Sequence, residues 1–398
     1  MKILENGICS ISSIKASGYR EGKYGVTVLY HENSTAAAVY TTNKVYAAPI
    51  NITRKHLANG KISAVIINSG NANCYTKDDG IKKGLELAKL VADTLNIPLE
   101  DVAVASTGII GRQMPMDIIK PVAIKSLEKL GNSRECANDA CNAILTTDAV
   151  AKECAIESTL SDGTVFKVAG ICKGSGMIAP NMGTMLGFIT TDLELSQSEL
   201  QEALRESVKK SFNMVVVDGD ESTNDTVLVM STNEVKSNVD DNFQEALDYV
   251  CISLAKQIAK DGEGATKFME VVCNGAKSMD DAILVSKSVV SSSLVKTALA
   301  GADPNWGRII SAMGYSGVDF DADNVSISIG SKSDIVVIVD NGNITTYNNP
   351  DKLKYAESIM NKKEIIITVD LHDGNYSATA YGCDLTYDYV KINAEYTT

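Results

Sequence analysis

Hydrophobic residues recur along the chain at two different spacings, one typical of strands and the other of helices. Runs rich in Val, Ile and Tyr at residues 24–30 and 63–67 predict β-strands. Apolar residues recur at helical spacing through residues 81–95, which predicts an amphipathic helix. Because helices and strands mix without a regular strand–helix–strand rhythm, the pattern favours a layered α+β architecture over a doubly wound parallel sheet.

The same periods predict further elements in both halves of the chain. Predicted strands cover residues 101–105, 165–171, 187–191, 226–231, 326–329, 334–339 and 364–369. Predicted helices cover residues 133–145, 243–259, 294–300 and 350–360. Ser196 followed by Glu199 forms a capping box, so another helix is expected to begin there.

Length and charge narrow the classes of protein to consider. A chain of 398 residues suggests two or three folding units, and 44% hydrophobic residues is ordinary for a globular protein. The net charge of −13 would repel a phosphate backbone, which argues against nucleic acid as a partner.

The cysteines and the N-terminus bear on the compartment. Nine cysteines are scattered without a CxxC pair, unlike a disulfide framework or a zinc ribbon. The first twenty residues lack the apolar segment of a signal peptide, and no run of about 18 apolar residues occurs. We therefore expect a cytoplasmic protein with no membrane partner.

The sequence has no histidine in a local catalytic motif, so any catalytic mechanism is expected to operate without histidine. His31, His56 and His372 each stand alone, and metal-binding and phosphate-loop motifs are missing, so a structural role is expected for each histidine. A threonine hydroxyl can instead be activated by its own α-amine, once the preceding peptide bond is cut. Thr184, in the segment Asn-Met-Gly-Thr-Met-Leu, suits such chemistry, although these residues alone favour an ordinary turn and do not single out Thr184.

Longer sequence motifs give more specific information about the family than this single threonine does. The string KGSGMIAPNMGTMLGFITTD at 173–192 closely resembles the signature of the ornithine acetyltransferase family, the self-cleaving glutamate N-acetyltransferases of arginine biosynthesis. Further stretches resemble that family in the same order along the chain: INSGNANC at 67–74, ASTGIIGRQMPM at 105–116, TTDAV at 146–150, DGDESTNDTV at 218–227, KDGEGATK at 260–267, GADPNWGRI at 301–309 and GCDLTYDYVKINAEYTT at 382–398.

The resemblance implies a processed chain. Cleavage between Gly183 and Thr184 would give an α chain, residues 1–183, and a β chain, residues 184–398, which assemble as a heterotetramer. The family fold is an α/β sandwich of two lobes around an N-terminal-nucleophile-like threonine. Gly183 stands where the family usually has alanine, which changes the backbone freedom beside the scissile bond.

The resemblance also implies roles for individual residues. Thr184 matches the nucleophile, and Thr107 and Gly108 match the oxyanion hole. The substrate-binding positions of the family correspond to Thr146, Lys173, Thr184, Glu263, Asn393 and Thr398. Lys173 would neutralise the α-carboxylate that both amino-acid substrates share, and Glu263 would pair with the cationic side chain of ornithine.

The implied reaction moves an acetyl group from N2-acetyl-L-ornithine to L-glutamate through an acetyl-threonine intermediate, without a metal or other cofactor. Acetyl-CoA is a second donor in some members of the family, which would add amino-acid N-acetyltransferase activity. Two alternatives stay open. A self-processed hydrolase would pass the acyl group to water, and an uncleaved homologue would bind amino acids without catalysis.

Overall fold

The fold is described from a computed structural model, which covers residues 1–179, 185–332 and 334–395. The strands are β1 Lys2–Ile3, β2 Lys15–Glu21, β3 Tyr24–Tyr40, β4 Lys61–Ser69, β5 Val102–Ser106, β6 Lys152–Thr159, β7 Val165–Lys173, β8 Leu186–Leu193, β9 Val215–Val216, β10 Thr226–Val235, β11 Phe268–Ala276, β12 Ser326–Ser331, β13 Asp334–Asp340, β14 Asn343–Ile344, β15 Glu364–Asp370 and β16 Tyr376–Cys383. The helices are α1 Ala48–His56, α2 Lys77–Leu95, α3 Met116–Glu128, α4 Arg134–Ala143, α5 Gln197–Lys210, α6 Asp241–Lys260, α7 Met279–Ser291, α8 Ser293–Ala300, α9 Trp306–Gly314, α10 Pro350–Met360 and α11 Tyr387–Glu395.

These strands form two mixed sheets. In the first sheet the order is β1-β6-β7-β8-β10-β3-β4-β5, with β2 paired to the first part of β3. In the second sheet the order is β14-β13-β12-β15-β11-β16-β9. Parallel pairs such as β8 with β10 and β11 with β15 lie among antiparallel neighbours. The prediction of an α+β rather than a doubly wound architecture is confirmed.

Both faces of the first sheet are buried. Along β10, Val227 and Val229 enter one hydrophobic cluster, whereas Leu228 and Met230 enter another. Because successive side chains on a strand point to opposite faces, the two clusters lie on opposite sides of the sheet. The sheet is therefore an inner layer of the molecule.

Helix α6 connects the two sheets. It packs on β6 and β7 of the first sheet and on β16 and β9 of the second. Leu247, Val250 and Leu254 on this helix are fully buried in the largest hydrophobic cluster. The strong helical period between residues 243 and 259 is thus explained by burial against both sheets.

Every strand and helix predicted from the sequence has a counterpart, with shifts of one to four residues at some ends, except that β3 runs on to Tyr40, ten residues beyond the predicted end at residue 30. The predicted capping box is present: the Ser196 hydroxyl accepts from the Glu199 amide at 3.3 Å, and the Glu199 carboxylate accepts from the Ser196 amide at 2.9 Å. Within the described ranges, no single helix has the length and apolar composition to cross a bilayer. The consecutive helices α7 and α8 have that length and apolar composition only when they are taken together, and they are bent by 55° relative to each other.

Candidate active site

A cleft opens where loops at the ends of several first-sheet strands meet the loop after α6 and the C-terminal helix. It is lined by Ala72, Thr107, Gly108, Ile110, Thr146, Thr147, Lys173, Gly176, Met177, Ser222, Thr223, Asn224, Glu263 and Asn393. Polar side chains and small residues dominate this lining, as expected for a site that binds a small polar molecule.

Six residues predicted from the sequence to take part in catalysis or substrate binding line this one cleft: Thr107, Gly108, Thr146, Lys173, Glu263 and Asn393. Three other selected residues, Gly183, Thr184 and Thr398, lie outside the described residues. Segment 180–184 falls between Ala179 and Met185, which are both buried.

The turn after β5 carries Thr107 and Gly108. The Thr107 amide donates to the Asn68 carbonyl at 2.9 Å, which fixes the turn against the end of β4. Gly108 has a φ of +129°, and a Cβ built on it would lie 2.4 Å from the carbonyl carbon of Gly70. Glycine is therefore required here, both by its left-handed backbone and by the close approach of the neighbouring loop.

Asn224 fastens the two loops of this corner together. Its side-chain amide donates to the carbonyls of Ala72 and Ser106, at 2.7 Å each. Because the amide is buried and both of its N–H groups are used, it holds the loops after β4 and β5 at a fixed separation. Asn224 thus sets the position of the Thr107 turn.

Lys173 ends β7 inside the protein, with 4% of its side chain exposed. Its ammonium donates to the Thr107 hydroxyl oxygen at 3.3 Å and lies 3.7 Å from Oδ2 of Asp148. A cation is thereby placed at the base of the cleft, next to the turn that carries Thr107.

Asp148 lies below that cation with a side chain that is 0% exposed. Burial opposes its ionisation, but the ammonium groups of Lys173 and Lys152 outweigh burial and hold the pKa of Asp148 well below its ordinary value. Lys152 in turn donates to Asp261 at 2.5 Å. Two lysines and two aspartates therefore form a buried cluster without net charge.

Glu263 and Asn393 meet on the opposite side of the cleft. The Asn393 side-chain amide donates to Oε2 of Glu263 at 2.8 Å, and the Glu263 amide donates to the Ser175 carbonyl at 2.9 Å. A Cβ on Gly176 would lie 2.3 Å from the Glu263 carboxyl carbon. Glycine at position 176 therefore makes room for this carboxylate.

Asp225 contacts Met185, the first described residue after position 184. Its Oδ1 accepts from the Met185 amide at 2.8 Å, and the side chain is fully buried. Burial raises the pKa of Asp225 well above its ordinary value.

Several residues at the cleft had no role assigned from the sequence. Asp148, Asn224 and Asp225 all lie in motifs that supported the family resemblance, TTDAV and DGDESTNDTV. A polar residue inside such a motif indicates a functional role, but the sequence does not reveal which group that residue contacts. Thr147, whose neighbour Thr146 was preferred, also lines the cleft and shares a hydrogen bond of 2.9 Å with Ser175.

The histidines lie elsewhere. Nδ1 of His56 is 2.7 Å from the Val102 carbonyl, Nδ1 of His31 is 2.9 Å from the Ser34 hydroxyl, and none of the three lines the cleft as described. Among the residues that the structure describes, no three His, Cys, Asp or Glu side chains are grouped as a metal site would require.

Comparison with known proteins gives the family. The ArgJ family model matches residues 11–398. A glutamate N-acetyltransferase of Methanothermobacter thermautotrophicus is 50% identical over all of this chain and 99% of its own length. That of Methanocaldococcus jannaschii is 48% identical over the whole of both proteins. The crystal structure of an arginine biosynthesis bifunctional protein, argJ, from Bacillus halodurans is 43% identical, with a TM-score of 0.49, over 52% of this chain and 98% of its own. The chain therefore belongs to the ArgJ family and is an acyltransferase of arginine biosynthesis.

Proposed function

We propose that the chain cleaves itself before Thr184 and then carries acetyl from N2-acetyl-L-ornithine to L-glutamate on the Thr184 hydroxyl. One observation carries the proposal. Six residues matched to the catalytic and binding positions of the family come from five separate segments and line a single cleft. The names of the relatives from Methanothermobacter and Methanocaldococcus support glutamate as the acceptor.

Self-cleavage comes first in this proposal. The Thr184 hydroxyl attacks the Gly183 carbonyl carbon, the peptide bond breaks to leave an ester, and water hydrolyses that ester. The products are chains 1–183 and 184–398, and the new α-amine is the base that catalysis needs. An ordinary α-amine titrates near pH 8, which suits a general base around neutral pH.

Acetyl transfer follows in two half-reactions. The amine of Thr184 takes the hydroxyl proton, Oγ attacks the acetyl carbonyl, and ornithine leaves. The α-amine of glutamate then attacks the ester, so that N-acetyl-L-glutamate leaves and Thr184 is restored. Lys173 donates to the oxygen of Thr107, which frees the Thr107 hydroxyl hydrogen for the developing oxyanion. Each such donor contributes about 3–4 kcal/mol to the transition state.

Substrate binding uses the two charged sides of the cleft. The Lys173 ammonium receives the α-carboxylate that donor and acceptor share, and the Glu263 carboxylate receives the ornithine ammonium. Thr146, Asn393 and Thr398 provide neutral hydrogen-bonding groups. No cofactor enters the reaction as proposed.

The two products are expected to stay together as a cytoplasmic heterotetramer. Strand β7 precedes the cleavage point and β8 follows it, and the two strands pair along Val168–Lys173 and Leu186–Thr191. Hydrogen bonds of the ladder and the shared core hold the chains after the peptide bond is lost. Two copies of each would have a mass near twice 42.4 kDa, about 85 kDa.

Intact mass under denaturing conditions is the direct test. Division of 42.4 kDa by chain length gives fragments of roughly 19 and 23 kDa, the larger beginning at Thr184. Thr184→Ala is the matched control and should remain one chain. A wild-type chain that persists uncut over days would overturn the proposal in favour of an amino-acid-binding homologue.

A turnover assay then separates transferase from hydrolase. If the acceptor is glutamate, glutamate speeds the loss of acetyl from the acetyl-enzyme and N-acetyl-L-glutamate accumulates. Release of acetate at a rate independent of glutamate would identify a self-processed hydrolase instead. Acetyl-CoA supplied in place of N2-acetyl-L-ornithine tests the second donor in the same assay.

A further inference from the structure

We infer that Asp148 is a positioning residue, which fixes the Lys173 ammonium and the Thr146 segment in the cleft without touching the substrate itself. This inference rests on the proposed function, because it concerns how the substrate carboxylate is held. It adds a residue outside the cleft lining to those that the reaction depends on.

The contacts of Asp148 join two separate segments of the cleft. Oδ1 accepts from the Gly174 amide at 2.6 Å and from the Lys152 ammonium at 2.8 Å. Oδ2 accepts from the Thr146 amide at 3.1 Å. One carboxylate therefore binds the backbone of the Thr146 loop to the backbone immediately after Lys173. Its position decides the distance between these two parts of the site.

Asp148 interacts with Lys173 through charge attraction rather than through a hydrogen bond. Its ammonium lies 3.7 Å from Oδ2 of Asp148, which is within the range of strong Coulomb attraction but too long for a good hydrogen bond. Among the described residues, the hydrogen-bond partner of this ammonium is the Thr107 hydroxyl. Asp148 thus stabilises the charge of Lys173 and leaves its N–H groups for the carboxylate of a substrate.

The other charged groups around Lys173 do not replace Asp148. Lys152 is a like charge, and Asp261 neutralises it from the end of α6. Asp225 faces Lys173 from the segment before β10, but burial raises its pKa well above the ordinary value, which disfavours its charged form. Glu263 lies across the cleft, where it is bound to Asn393. Asp148 is therefore the carboxylate that balances a lysine with 4% exposure.

Removal of the Asp148 charge should act through Lys173. A buried ammonium without a counter-ion has a lowered pKa, so it loses its proton at lower pH. In Asp148→Asn we expect KM for N2-acetyl-L-ornithine to rise on the order of tenfold or more. Above neutral pH the increase should become larger, while kcat changes less. A residue that only supports the fold would lower the amount of active enzyme and leave the pH profile of KM unchanged.

The experiment compares full-length wild type, Asp148→Asn and Asp192→Asn by intact mass, thermal stability and KM from pH 6 to about pH 9.5. Asp192 is the matched control: it is 8% exposed and accepts from the Lys167 amide at 2.8 Å, away from the cleft. An Asp148→Asn enzyme with the KM profile of wild type would overturn the inference. A wild type without turnover would instead overturn the proposed function.

A second variant covers the case in which Asp148→Asn does not fold. The double variant Asp148→Asn, Lys152→Met removes one charge of each sign, so the buried cluster stays neutral. It should show the same shift of the KM profile. A double variant with the KM profile of wild type would contradict the inference.

Discussion

Asp148 and Asp225 are both buried carboxyl groups beside the cleft, yet their surroundings drive their pKa values in opposite directions. Asp148 has two ammonium groups within 4 Å, which outweigh burial and hold its pKa low. Asp225 accepts from the Met185 amide, which does not offset burial, and its pKa is raised. Burial alone does not fix the charge of a carboxyl group, because the contacts of its two oxygens decide it.

Replacement of Asp225 by Asn should therefore stabilise the fold as pH rises. A carboxyl whose folded pKa is raised stabilises fully below its unfolded pKa, near 3.8, and this contribution is lost as pH rises through the folded pKa. Asparagine keeps an acceptor for the Met185 amide and does not titrate. At pH 7 to 8 we expect Asp225→Asn to have a higher free energy of unfolding than its parent.

The measurement is urea denaturation from pH 5 to pH 8, with Thr184→Ala as the common background so that every chain remains uncut. The gap between the two proteins should widen as pH rises. A constant gap over this range would show that Asp225 is ionised in the folded protein.

At the scale of the element, local sequence decides where α5 begins. The Ser196 hydroxyl and the Glu199 carboxylate each accept from the other residue's backbone amide, which satisfies two donors at the helix start. Both residues lie within four positions of one another, so no tertiary contact is needed to form this cap. This explains why the sequence alone predicts it correctly.

Ser196→Ala should cost about 1 kcal/mol in the free energy of unfolding, the usual value for a lost N-cap. Glu202→Ala is the control, since Glu202 is exposed on the same helix and does not cap the backbone. Its effect should stay within about 0.5 kcal/mol. Denaturant unfolding of both variants measures the difference, and equal stabilities would mean that the capping box contributes nothing.

Other elements were not predicted because their patterns are mixed. Strand β16 carries small and polar residues, YSATAYGC, and β6 carries the charged run KECAIEST. Helix α3 contains Pro121, which normally argues against a helix interior. Their conformations follow from partners distant in sequence, such as the antiparallel pairing of β16 with β11. The residues adjacent in sequence to these elements do not indicate such partners.

At the scale of the whole molecule, α6 packs on both sheets, so we expect them to unfold as one cooperative unit. Leu254 is fully buried on this helix within the cluster that both sheets share. Leu254→Ala should cost about 2–5 kcal/mol, through lost transfer energy and a residual cavity. Because the helix packs on both sheets, we expect a single unfolding transition at lower denaturant.

Leu284→Ala is the matched control, because Leu284 lies on α7 with 47% of its surface exposed. Its effect should stay within about 0.5 kcal/mol. Circular dichroism and tryptophan fluorescence can follow the unfolding together, and Trp306 reports on the region of α9. Two separate transitions in Leu254→Ala would show that the sheets unfold independently.

The sequence by itself determined the α+β class, the predicted strands and helices, and six residues of the cleft. Hydrophobic period is a local property, and long motifs carry the family likeness, so both can be read without coordinates. Only the tertiary structure decided that Asp148 supports Lys173 and that Asn224 joins the loops at Ala72 and Ser106. Asn224 and Ala72 are 152 positions apart, and such a contact depends on how the whole chain folds. The charge of a buried group is likewise set by neighbours that folding brings together, which no local pattern contains.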